Sequence, residues 1–213
     1  MPVQAPRQDR SRRTLEAILE ATEKLLERRA FADISIAEIV LKSGSSTGSF
    51  YARFPTKDAL LPALYARYHA GIPDRITRLR GALARKSLTL RHACRLIVDE
   101  FAASFEEREN LMRAIVLYAR TKPEDLRSIL GERTSMYEEI VAALRPFHDE
   151  IRHHDEAYAI RTGLFVVGTA VREVVLFPNA PAANAARQPI TKMKATLAAV
   201  FHAYLTSDQE SDE

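Results

Sequence analysis

An all-α fold, with a small N-terminal helical domain ahead of a larger helical one, is predicted from three features of this chain. Residues 35–54 hold two short helical patterns either side of a glycine, and beyond residue 56 almost every window repeats its apolar residues at helical rather than alternating spacing. β-Branched clusters bounded by turn pairs are missing. With 213 residues, 46% of them hydrophobic, the chain has apolar material for a sizeable core. The expected layout is a flexible basic arm over 1–10, a three-helix domain over 11–56, a larger helical domain over 57–205 and an acidic disordered tail over 206–213, with Asp208, Glu210, Asp212 and Glu213.

Arg7, Arg10, Arg12 and Arg13 cluster where no apolar period exists. Such a segment is drawn to a phosphate backbone or an A·T-rich minor groove, and it reads equally as a solvated tail. Leu15, Ile18, Leu19, Thr22, Leu25 and Leu26 then form the buried stripe of a helix over about 11–29.

The next boundaries follow from local chemistry. Ser35 with Glu38 three residues on is a capping box, so a helix starts there. Ile36, Ile39 and Val40 give it one apolar face, and Gly44 ends it, since glycine accepts the left-handed backbone of a tight turn. Ser46 caps a second helix over 47–53, in which Phe50 and Phe54 pack inward. Thr47, Gly48 and Ser49 leave that helix tip open to a phosphate or base edge, while Tyr51 and Arg53 add reach. The pattern is a helix-turn-helix and points to double-stranded DNA as partner.

Residues 43–61 resemble the N-terminal domain of TetR-family transcriptional regulators without a gap, and the likeness covers about residues 12–65. Gly44, Ser46, Gly48, Tyr51, Phe54, Lys57, Leu60 and Leu61 match the family pattern as they stand. Ser49, Phe50 and Asp58 are conservative variants, Ser45 replaces the usual apolar turn residue, and Ala30 stands where a glycine usually ends the first helix. The resemblance implies that 47–53 is the recognition helix, with Thr47, Gly48, Ser49, Tyr51 and Arg53 at the groove beside the Ser46 cap. It also implies that Ser35 and Lys57 hold phosphates; the basic cluster itself offers Arg12 and Arg13 as further DNA contacts. Outside this spacing, Tyr51 would read as a packed aromatic and Lys57 as a solvated charge.

Thr56 caps the connecting helix, which turns Leu60, Leu61, Leu64, Tyr65 and Tyr68 to one side. Pro62 lies inside it, where proline typically costs about 3 kcal/mol, and Gly71 and Pro73 interrupt again. A kinked or segmented element is expected. Further helices follow at about 88–107, 109–120, 124–144, 155–177 and 189–205, with Gly131 a possible bend and 179–188 a loop. Leu64, Tyr68, Ile97, Phe101, Phe105, Met112, Ile115 and Tyr118 line either plain bundle core or an apolar effector pocket, for which Tyr118, Tyr137 and Arg161 supply polar groups. On the last two helices Gly163, Val167, Ala170 and Val174 make one stripe, and Met193, Leu197, Phe201 and Tyr204 repeat at similar spacing. This stripe fits a four-helix homodimer interface, as the resemblance implies, or packing within one chain.

The remaining features exclude more than they assign. A net charge of +3 permits nucleic-acid binding without arguing for it. The lone Cys94 rules out an internal disulfide and reads as a core residue, while His92 and Cys94, two apart, do not face one metal. His148, His153 and His154 fall at an exposed corner, so neither metal nor cofactor is expected. No sequence places a nucleophile beside a base, so no catalytic residue is expected. The most apolar stretch, 163–177, is broken by Arg172 and Glu173, and a cytoplasmic protein with no membrane partner is expected. The resemblance implies a homodimeric repressor on a palindromic operator, released by a small, largely apolar effector. An activator, a regulator gated by a protein partner and a helical enzyme are the alternatives.

Overall fold

The computed structural model describes the backbone of residues 5–181, 183 and 188–208, and the side chains of those residues other than 5–8 and 126–135. Every regular element among the described residues is helical. In chain order they are α1 (Ala5–Leu26), α2 (Ile36–Ser43), α3 (Thr47–Tyr51), α4 (Leu60–His69), α5 (Ile72–Leu83), α6 (Leu90–Glu106), α7 (Glu109–Thr121), α8 (Arg127–Leu144), α9 (Glu156–Leu176) and α10 (Ile190–Thr206). Short 3₁₀ turns stand at Phe31–Asp33, Pro123–Leu126 and Arg145–Glu150. Two compact units result, Met1–Ala70 with Asn110–Ile129, and Gly71–Glu109 with Leu130–Glu213. The division differs from the expected boundary at residue 56 because Leu60, Leu61, Leu64 and Tyr65 are buried in the first unit, where the Asn110 amide also donates to the Leu26 carbonyl at 2.8 Å.

In the first unit the predicted stripe of α1 is the buried one, with Ile18, Leu19, Thr22 and Leu26 inside and Leu15 and Leu25 half-buried. The helix begins at Ala5, before the predicted start, so Arg10, Arg12 and Arg13 are exposed on a helix rather than in a flexible arm. Missing apolar periodicity shows only that no face is buried there; alanine, glutamine and arginine are good helix formers, and Asp9 pairs with Arg12 at 3.5 Å. Residues 1–4 and the Arg7 side chain lie outside the described residues, as do Glu210, Asp212 and Glu213 of the expected tail.

The expected break at Pro62 is absent for a geometric reason. α4 starts at Leu60, not at Thr56, which places Pro62 in the first turn, where backbone N–H groups have no partner inside the helix. Thr56 instead accepts from the Ala59 N–H at 3.3 Å in the turn before the helix. Segmentation occurs at Ala70–Gly71, and Pro73 stands in the first turn of α5.

In the second unit α6, α9 and α10 pack on one another and α5 packs on α6. Leu90, Cys94, Ile97 and Val98 of α6 are fully buried with Leu164 and Val167 of α9 and Phe201 and Leu205 of α10. Burial pushes the Cys94 thiol up to about 12. The ring of Phe201 lies against Gly163 so closely that a Cβ there would come within 2.3 Å of it. That contact is packing within one chain, one of the two readings open for the stripe. Gly163, Val167 and Phe201 are consumed inside one chain, with Ala170, Val174, Met193, Leu197 and Tyr204 half-buried, because the small residues of α9 admit its own chain's α10. The opposite faces expose Tyr158, Phe165 and Val166 on α9 and Val200 on α10.

Candidate nucleic-acid interface

α2 and α3 are set by their caps. The Ser35 hydroxyl accepts from the Glu38 N–H at 3.2 Å and the Glu38 carboxylate accepts from the Ser35 N–H at 2.8 Å, the reciprocal pair expected. Gly44 takes φ 65°, and its N–H closes α2 on the Leu41 carbonyl at 3.3 Å. Ser46 then caps α3, accepting from the Ser49 N–H at 3.1 Å and donating its own proton to the Ser49 hydroxyl at 2.9 Å. Phe50 is completely buried, with Phe54 and Tyr51 each 5.6 Å away between ring centres. One position on, Tyr51 is 51% exposed, with its ring edge-on to that of Phe50. Ser46, Thr47 and Gly48 are exposed and Ser49 half-buried, so the tip presents small polar groups and one aromatic phenol outward.

Glu38 is the electrostatic hub behind this surface. Arg29 donates to its carboxylate at 2.5 Å and, through the other nitrogen, to the Asp33 carbonyl. The Arg29 hydrogen bond first, then the Ser35 N–H and hydroxyl, hold the Glu38 carboxyl at about 2, well below the ordinary 4.5. A depressed acid stabilises the fold above its ordinary value and loses that contribution as pH falls through the folded value, so the α2 cap should weaken only between about 4.5 and 2. A carboxyl-carbon NMR titration checks this. A Glu38 midpoint above pH 4 would show that Arg29 is not engaged in solution.

Two predicted DNA contacts are placed differently. α3 ends at Tyr51 instead of residue 53, since Pro55 disfavours helical backbone at Phe54 and the chain must leave the helix. Arg53 lies beyond it, donating to the Ser49 carbonyl at 2.7 Å and to the Ser11 carbonyl and hydroxyl at 3.2 and 3.0 Å. Its guanidinium therefore joins α1 to α3. Lys57 donates to the carbonyls of Phe31, Ala32 and Ile34 at 2.9, 3.2 and 2.9 Å. Ser11 was not legible as part of the site because its partner lies 42 residues along the chain, and Arg29 because Asp33 and Glu38 lie across an irregular turn that carries no helical spacing.

The residues grouped as one pocket divide between the units. Leu64, Met112, Ile115 and Tyr118 are buried in the first with Tyr68 half-buried, and Tyr118 borders a groove of about 380 Å³ with Phe31, Lys57, Asp58, Asn110 and Leu117. The Tyr118 hydroxyl donates to Asp125. In the second unit Ile97 and Phe101 are buried, Phe105 is half-buried, and Tyr137 stacks on Phe101 at 6.4 Å between ring centres. Arg161 faces outward and pairs with Glu138 at 2.7 and 2.9 Å, so it supplies no polar group to an interior cavity. At the histidine corner His153 donates to the Tyr204 carbonyl at 2.6 Å. Among the described residues no helix is long and apolar enough to cross a membrane.

Residues 18–64 match the model of the bacterial regulatory proteins of the tetR family. Over 51 residues the chain is 45% identical to the HTH-type transcriptional regulator EthR of Mycobacterium tuberculosis, and over 49 residues 39% identical to YvdT, an HTH-type regulator of Bacillus subtilis. These stretches cover 24% and 23% of this chain and only 24% and 25% of those proteins, about a quarter of each relative's length. Over nearly the whole chain the fold matches a tetR-family regulatory protein of Rhodococcus RHA1, with TM-score 0.62 and 15% identity over 92% of this chain and 98% of that one. FadR of Bacillus subtilis, solved with stearoyl-CoA, matches at TM-score 0.61 and 14% identity over 89% and 98%. Each of these is named as a transcriptional regulator or regulatory protein. A capped α3 on a two-unit helical chain is thus matched in sequence, over residues 18–64, by the tetR-family model and in fold, over nearly the whole chain, by solved tetR-family regulators.

Proposed function

We propose that the protein is a homodimeric repressor that binds a palindromic DNA operator and is released by a small, largely apolar effector. The reading rests above all on the outward tip of α3, where Ser46, Thr47, Gly48 and Tyr51 are exposed over a buried Phe50. Hydroxyls and a phenol on a short helix suit limited base readout, while the Ser35 end of α2 and the exposed Arg12 and Arg13 suit phosphates. Two copies would read half-sites about 34–36 Å apart. The apolar faces with Tyr158, Phe165, Val166 and Val200 offer the contact between copies, and among the described residues Phe165, 64% exposed, is the largest apolar side chain left in water. An apolar effector is supported by the stearoyl-CoA in the FadR neighbour and by the Phe101–Tyr137 pair in the second unit. Couplings of about 1–3 kcal/mol, or roughly 5- to 150-fold in affinity, would release such a repressor.

Selection of bound duplexes from a random pool tests this reading. A palindromic product is expected, retention should be lost in Tyr51→Ala, and Phe165→Glu should yield monomers that bind weakly. Duplex binding without sequence preference, or a wild-type monomer, would overturn it.

A further inference from the structure

Four consecutive carbonyl oxygens, those of Phe31, Ala32, Asp33 and Ile34, each accept a hydrogen bond from a cation. Lys57 takes the first, second and fourth, and Arg29 takes the third. The Lys57 ammonium also lies 4.8 Å from the centre of the Phe31 ring, a cation–π distance. An ammonium has three donors, and here all three point into the protein. The segment they bind runs directly into Ser35, whose cap begins α2.

We infer that Lys57 is a positioning residue for DNA reading rather than a phosphate ligand. It holds the turn before α2, and through it the Ser35 cap and the first N–H groups of that helix, against the segment that follows the reading helix. Both helices of the helix-turn-helix are thereby tied from outside their shared turn: α2 through the Phe31–Ile34 carbonyls and α3 through Arg53 on Ser11. Three carbonyls converging on one point suit the compact, rotatable donors of lysine, whereas the planar fork of arginine cannot meet them together. A phosphate contact makes the opposite demand, because arginine serves phosphate at least as well as lysine does.

This inference rests on the proposed DNA reading, and the two can fail separately. On a duplex recovered by selection, full-length wild type is compared with Lys57→Met and Lys57→Arg across a salt series. Both variants should bind about tenfold or more weakly. The slope of log affinity against log salt should stay at the wild-type value. In the free proteins, amide exchange at Glu38 and Ile39 should accelerate in both variants. Wild-type affinity in the arginine variant, or a slope shallower by about 0.9 per lost contact in the methionine variant, would make Lys57 a phosphate ligand. Unchanged exchange at Glu38 and Ile39 would overturn the inference even if the protein retains no duplex, a result that would otherwise count against the repressor reading alone.

Discussion

Phe50→Ala is expected to lower stability by about 3–5 kcal/mol, the usual cost of emptying a buried aromatic site. Phe50 has no exposed surface, and its ring is held between Phe54 and Tyr51 on a helix of only five residues. So short a helix has little stability of its own, and tertiary packing must supply it. The loss should therefore appear both in denaturant unfolding followed by circular dichroism and in the retention of DNA. Phe50→Leu, which keeps most of the apolar volume, should lose much less. If the alanine variant unfolds within about 1 kcal/mol of wild type, the site collapses around the void and α3 does not depend on this anchor.

Gly163→Ala should also be costly, although alanine favours helices. The added Cβ would meet two ring carbons of Phe201 at 2.3 and 2.6 Å, and Phe201 is itself buried. Overpacking of this kind typically costs about 1–3 kcal/mol, or roughly 2–12 °C in melting temperature for a chain this size. A double-mutant cycle with Phe201→Leu reads the contact directly. Relief of steric crowding in the double variant should give a coupling of about 1 kcal/mol or more. Additive effects would mean that α9 and α10 do not meet at this point.

The features that could be read from the chain share a short range. Ser35 with Glu38, Gly44 and Ser46 each act within about one helical turn, so spacing alone carries the reading, and the stripe of α1 was legible because helical periodicity reports which face is buried. Periodicity does not say what a face is buried against. Gly163 and Phe201 therefore looked like a surface for a second copy, when the neighbour is the same chain. Pro62 was misread because its effect depends on where the helix begins, and Thr56 marked a turn rather than that start. Arg53 and Lys57 sit at positions the family resemblance assigns to DNA, yet their partners, Ser11 and the carbonyls of Phe31, Ala32 and Ile34, lie 23 to 42 residues away. No local pattern encodes such pairs.

The chain's single thiol offers a practical opening. Nucleophilic attack needs the thiolate, and Cys94 is both sealed in the core and held protonated across the working range of maleimide and methanethiosulfonate reagents. A cysteine introduced at an exposed position of α3 could thus be tagged with a nitroxide or fluorophore in an otherwise native background, with no need to remove Cys94. In the proposed homodimer, pulsed spin–spin measurements on such a sample would give the distance between the two α3 tips in solution.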